Sequence, residues 1–445
     1  MMPLHLRKLA LVALTITGLV GPGLSYGPCY AFHVVLVAVA SLLLWFEGGR
    51  IVGRLREERW TLWYFLAFGV LSLIALFRSP SVNEGLITVV SLGCGHALLI
   101  ALILLVNDPQ LWRTVLFTSA VVMSTELVLS LLEAAELVRW PISRFSSAAE
   151  LFGRPNDLAE LTDTPSKAAY IASSPTGFHW NPNDLCTGLC LFLPFTLTSR
   201  RWWVGALVAA AVLVVVLAAG ARIAYVVVAL IAFMAIFFRV SRIAGLVTLI
   251  MVLIVSTNGF SARYSEAVKL REMQVFSRVL VGADIDLAQL QMSSAEEEGS
   301  AAMRKHIYRS GIEAVRVSRG LGMGLGASAA WLGAHPIPGG RVLTDMHNWW
   351  LELAVDLGLL GLLALFVWLV GVVLLIWKKI DLRDRGNGSR VGLAFVMAFI
   401  ALVPLALGPS SMAYSLPMFM LFALAVLAPK YLGPDRGPGS SVTPS

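Results

Sequence analysis

The sequence predicts an all-α polytopic membrane protein of about 12 transmembrane helices, with a large external loop between helices 9 and 10. Three observations carry this. The 445 residues are 58% hydrophobic and 14% charged, with mean hydropathy +0.78, more apolar surface than a soluble domain can bury. Runs of about 18 or more apolar residues recur along the chain. Lysine and arginine concentrate in alternate short loops between those runs, which is the pattern that sets membrane topology.

The expected spans are roughly 9–26, 30–47, 60–78, 84–106, 111–133, 184–199, 203–220, 222–238, 243–260, 347–377, 391–408 and 412–428. The first follows Arg7 and Lys8 without a small-residue cleavage site, so it reads as a retained helix and not a signal peptide. The tenth is long enough to tilt or to extend beyond the bilayer. One set of short loops holds Arg50, Arg54, Arg56 and Arg59, then Arg113, Arg200 and Arg201, Arg239 and Arg242, and Lys378 to Arg390; the opposite set holds only Arg78 and Arg222. The first set is expected to be cytoplasmic, with both termini. Segments of about 134–183 and 261–346 then face outward. Residues 1–429 form one transmembrane domain, and 430–445 read as a disordered cytoplasmic tail by composition.

The net charge of +7 and pI of about 9.4 would suggest nucleic acid in a soluble chain. Here the charge is spent on topology, so lipid and no nucleic acid is the expected surrounding. Cys29, Cys94, Cys186 and Cys190 lie in or beside apolar runs without a paired CxxC motif and read as small core residues.

The candidate chemistry gathers at the outer loops. "TDMHNWWLELAVDLGLLG" (Thr344 to Gly361) places His347 where the largest external loop re-enters the membrane. Asn348, Glu352 and Asp356 follow at i, i+4 and i+8 and share a helix face. That stripe is either a polar wall beneath a reactive imidazole or interhelical hydrogen bonding. A histidine can take a proton near neutral pH. His179, His306 and His335 are also external, but no HxxxH or HExxH spacing supports a metal site.

Arg222, at the outer turn "AGARIAYVV", stands against the positive-inside pattern and calls for an anion or for lipid head groups. A phosphate suits its guanidinium. "MRKHIYRSGIEAVRVSR" reads as a helix with Ile307, Gly311, Ile312 and Val315 on an apolar face. "GLGMGLG" (Gly320 to Gly326) either lets backbone approach a phosphate or sugar or is a flexible connection. "GFHWNPNDLC" (Gly177 to Cys186) holds turn chemistry and a helix N-cap, and its amides could bind sugar hydroxyls.

Taken in order, "NPNDL", "GARIAYVV", "MRKHIYRSGIEAVRVSRGLGMGLG" and "HNWWLELAVDLGLLG" resemble the O-antigen ligases and Wzy-type polysaccharide polymerases, over roughly Gly177 to Gly361. The resemblance implies a GT-C-like, metal-independent, inverting glycosyltransferase of the bacterial inner membrane, without a cofactor. Its donor would be an undecaprenyl diphosphate-linked oligosaccharide and its acceptor a glycan or lipid hydroxyl, met on the periplasmic face. By the same resemblance His347 is the general base, and Arg222 and Arg304, with Arg309 as a further candidate, hold the donor diphosphate. Asn348, Glu352, Asn181, Asn183 and Asp184 support these groups or the acceptor. "FHWNPNDL" is more similar to the polymerases than to the ligases that act on lipid A core. A transporter of lipid-linked sugars would call for internal repeats and broken helices charged at mid-membrane; no repeat is present.

Overall fold

Apolar segments in lipid find no outside partner for their backbone polar groups, so each closes its hydrogen bonds within itself as a helix. The computed structural model describes residues 2–155, 165–239, 243, 303–336, 344–381, 386–409 and 411–432. The first half contains α1 (Leu4–Val20), α2 (Ala31–Glu47), α3 (Ile51–Glu57), α4 (Arg59–Phe77), α5 (Val82–Leu105), α6 (Pro109–Ala134) and α7 (Pro165–Ser173). It continues through α8 (Pro182–Leu197), α9 (Trp202–Ala219) and α10 (Arg222–Arg239). A helix over 303–317 is α11. Then follow α12 (Ala327–Ala334), α13 (Trp349–Asp356), α14 (Gly358–Trp377), α15 (Asn387–Leu405) and α16 (Leu416–Tyr431). A two-stranded antiparallel hairpin pairs Ser25 with Tyr30 and Tyr26 with Cys29.

The chain is an all-α polytopic membrane protein. Eight helices among the described residues are long and apolar enough to cross a membrane. The shorter α8, α10 and α16 lie among them. The expected span 243–260 falls outside the described residues, as does the tail from 433 onward.

Burial separates core from periphery. In α16 every residue from Leu416 to Ala428 is buried, as expected of a helix apolar on all sides. It packs against α1, α5, α8, α14 and α15. Exposed leucines, valines and tryptophans such as Trp45, Trp63, Phe77 and Trp202 form the rim that lipid would cover. At one end of the bundle, buried Glu47 binds Arg7 and approaches Arg54 at 3.6 Å, while Lys430 meets Glu58 at 2.7 Å. Described residues from both segments expected to face outward, among them Arg144, Arg154, Trp180 and Asp345, meet around one cavity.

The structure corrects three expectations. The run 347–377 is two helices. The chain breaks after Asp356, and Gly358 takes φ +80°, a conformation that favours glycine. Cys29 is exposed in the hairpin, while Cys186 and Cys190 are buried. On α11 the buried positions are Ile307, Gly311 and Ala314, at i, i+4 and i+7; Ile312 is exposed. Ile307 and Ala314 form a small separate core with Leu332, Met346 and Val355.

Candidate active site at the long-loop end

Three local devices build the long-loop end of the bundle. The first is the entry to α8. Asn181 is its N-cap, with its side-chain oxygen accepting from the N–H groups of Asn183 and Asp184 at 2.9 and 3.1 Å, and Pro182 opens the helix. Asn181 Nδ2 also donates to Asp184 at 2.7 Å. The capping expected from the sequence is therefore present, and it occupies much of the Asn181 amide.

The second device holds the preceding loop. Buried Glu133 accepts the N–H groups of Trp140 (2.9 Å), Thr176 (2.8 Å) and Gly177 (2.6 Å). Glu126, two turns earlier on the same face of α6, accepts the N–H of Phe178 at 3.0 Å. Two acids on a membrane helix thus satisfy the backbone of a buried turn. They deliver His179, Trp180 and Asn181 to the cavity. His179 is buried, with Nε2 4.0 Å from Glu126, and burial lowers its pKa to about 4.

The third device is the glycine segment. Gly320, Gly322, Gly324 and Gly326 all have positive φ. Met323 and Gly324 donate to the carbonyls of Val355 and Asp356, which the helix break frees, and Leu359 donates to Gly320. The Asp356 carboxyl accepts from Gly326 (3.0 Å) and Ser328 (2.8 Å), capping α12. A Cβ at Gly324 would stand 2.5 Å from the Arg78 carbonyl, and one at Gly322 would stand 2.4 Å from the Gly358 nitrogen. The segment is a tightly packed strut. It is neither a free phosphate loop nor a flexible connection.

The first two of these devices frame a cavity of about 400 Å³. Asn181, Asp184 and Asp345 line it, together with Ser411 and Tyr414 from the loop before α16. Glu352 accepts from the Ser411 hydroxyl at 2.8 Å, so the stripe on α13 reaches the cavity wall. Asn348 is the N-cap of α13, accepting from Leu351 at 3.2 Å.

His347 lies two residues beyond Asp345. It has φ +48°, which is uncommon for a residue other than glycine, and such strain persists only where neighbours impose it. Here Tyr308 donates to the His347 carbonyl at 3.1 Å, and Trp349 donates to Ala406 at 2.9 Å. The imidazole is partly buried, and its Nδ1 is buried without a hydrogen-bond partner. Burial lowers its pKa below the ordinary histidine value; Asp345 opposes that shift and Arg304 adds to it. Arg304 lies on α11, the helix whose Tyr308 bonds the His347 carbonyl.

Other candidates stand apart. Arg309 lines a separate groove with His306, Glu313, Trp331 and His335. Arg222 is exposed at the head of α10 and does not line the cavity. Its neighbour Ile223 does approach Gly408, beside the cavity residue Pro409. Asn183 does not line the cavity either. Sequence reasoning gave no role to Asp345, Tyr308, Arg144, Arg154 or Trp180. The signal for the last three was the basic and aromatic content of the first long loop.

The chain is a polytopic helical bundle with a cavity at one end and a histidine in left-handed backbone two residues beyond the cavity residue Asp345. Residues 189–366 match a family model described as O-antigen ligase. That stretch contains Arg222, Arg304, Arg309, His347, Asn348 and Glu352; Asn181, Asn183 and Asp184 precede it. No curated protein matches the chain. The match supports glycosyl transfer of the O-antigen ligase or polymerase type.

Proposed function

We propose that the chain is an inverting GT-C-type glycosyltransferase that moves a glycan from an undecaprenyl diphosphate donor to an acceptor hydroxyl on the periplasmic side of the inner membrane, as a polysaccharide polymerase. The observation that carries this is His347. It is a partly buried imidazole in left-handed backbone, biased toward its neutral form, beside a polar cavity and within the stretch that matches the O-antigen ligase model. A neutral imidazole can accept a proton, which is what a general base must do.

In this reading the acceptor oxygen attacks the anomeric carbon from the side opposite the diphosphate. The bond from that carbon to the diphosphate oxygen breaks with its electron pair, and configuration inverts. The acceptor proton passes to His347. Arg304, and Arg222 at the head of α10, neutralise the departing diphosphate. Asp345, two residues before His347 and on the cavity wall, steadies the imidazolium that forms. Asn348 and Glu352 hold the start of α13 and the Ser411 wall in place. The donor is already activated, so the protein's task is alignment, charge neutralisation and removal of one proton. Arg309, the further candidate for the diphosphate, lines a separate groove and takes no part in this step.

The test uses purified protein with undecaprenyl diphosphate-linked oligosaccharide, without added metal, read by gel or mass. Chain growth by the wild type and its loss in His347→Ala, at equal folded amount, are expected. Growth only when lipid A core or another final acceptor is supplied would make the protein a ligase. Unchanged transfer by His347→Ala would overturn the assigned base. Passage of the lipid-linked sugar across liposomes without transfer would make it a transporter.

A further inference from the structure

The first long loop brings to the cavity a group that the transfer reaction above does not use. The turn at Phe152–Gly153 docks on the hairpin: Gly27 donates to the Phe152 carbonyl at 2.7 Å, and Gly153 closes the turn with φ +67°. A Cβ on Gly153 would stand 3.2 Å from the Gly27 nitrogen, so the approach is close. This fixes Arg154 over the hairpin. Its guanidinium carbon lies 5.5 Å from the Tyr30 ring centroid and 5.1 Å from that of Trp180. Nη2 donates to the Ser25 hydroxyl at 2.9 Å, while Nε is buried without a partner. Among the described residues no carboxylate pairs with Arg154. Arg154, Trp180, Tyr30 and Arg144 all line the cavity that holds Asp184 and Asp345.

A guanidinium over two aromatic rings, with donors left over and no carboxylate partner among the described residues, is prepared for an anion from outside. The rings beside it offer flat apolar surface, and Asn181 and Tyr414 offer hydrogen-bonding edges. A cavity of this size takes a small-molecule ligand. We infer that Arg154, Trp180 and Tyr30 form a subsite for an acidic sugar residue of the glycan, the rings taking the pyranose and Arg154 taking its carboxylate. The inference rests on the reading of the cavity as a glycan site. It adds that the enzyme selects for a negatively charged repeat unit.

The same guanidinium could instead meet the phosphates of the lipid carrier, and the test separates the two. Full-length protein in nanodiscs is titrated by calorimetry with a glucuronic acid-containing disaccharide, with the neutral glucose counterpart of the same linkage, and with inorganic pyrophosphate. The acidic disaccharide is expected to bind about tenfold to a hundredfold more tightly than the neutral one, the range of one charge-assisted hydrogen-bonded pair. Arg154→Gln should erase that preference, Arg154→Lys should restore part of it, and Trp180→Ala should weaken both sugars alike. His347→Ala should leave the preference intact.

Equal binding of the two sugars, no binding of either, or a preference that survives Arg154→Gln would overturn the inference. Pyrophosphate binding that is lost in Arg154→Gln and that competes with the acidic sugar would assign the guanidinium to the carrier instead. The titration needs no turnover, so discrimination by a protein that transfers nothing would count against the proposed reaction alone.

Discussion

Replacing Asp356 probes the device that joins the second long loop to the membrane helices. Its two carboxyl oxygens each accept one backbone N–H, from Gly326 and Ser328, and the side chain is buried. Each bond to a charged acceptor contributes about 1.5 kcal/mol or more, and losing the cap leaves two buried donors unsatisfied. Asp356→Ala should therefore lower the local opening free energy of 320–335 by about 3 kcal/mol, a hundredfold loss in amide protection. Asp356→Asn keeps one acceptor oxygen and turns an amide toward the other donor, so about half that loss, roughly tenfold, is expected. Hydrogen exchange read by mass spectrometry on peptides across 320–335 measures both. Protection in Asp356→Ala equal to wild type would refute the capping role and the reading of the glycine segment as a strut.

The same strut makes Gly324→Ala destabilising by about 1–3 kcal/mol from overpacking alone, with positive-φ strain added, because the new Cβ would meet the Arg78 backbone. Gly333→Ala, in open space on α12, should be neutral or stabilising by up to about 1 kcal/mol, and thermal unfolding in detergent compares the two. Glu133→Gln replaces one of two accepting oxygens that hold Trp140, Thr176 and Gly177. It should speed limited proteolysis within 135–181 while leaving cleavage near Glu47 unchanged.

Much of the fold was legible because membrane spans are written in composition. The hydrophobic runs, the alternation of basic loops, the N-cap at Asn181 and the stripe of Asn348 and Glu352 all follow from local pattern. The break at Gly358 was not legible. "LGLLG" inside an apolar run looks like helix, and the break is imposed by carbonyls that bond to a segment more than thirty residues earlier. The alternating glycines announced special backbone, but only their contacts with Arg78, Glu84 and Gly358 show what it serves. At the candidate site, His347 and Arg304 were singled out by motif order. Arg154 was not, since its surroundings come from the hairpin at 25–30 and from Trp180, far apart in sequence.

The most direct test of the central claim is the pH dependence of kcat/KM for glycan transfer. A base works when neutral, so activity should fall as pH drops through the His347 pKa. That pKa is held below the ordinary histidine value chiefly by burial. Arg304 lowers it and Asp345 raises it. Arg304→Gln should therefore move the acid limb to higher pH, and Asp345→Asn should move it to lower pH, whatever either does to the maximal rate. An acid limb that stays in place in both variants would contradict the assignment of His347 as the base.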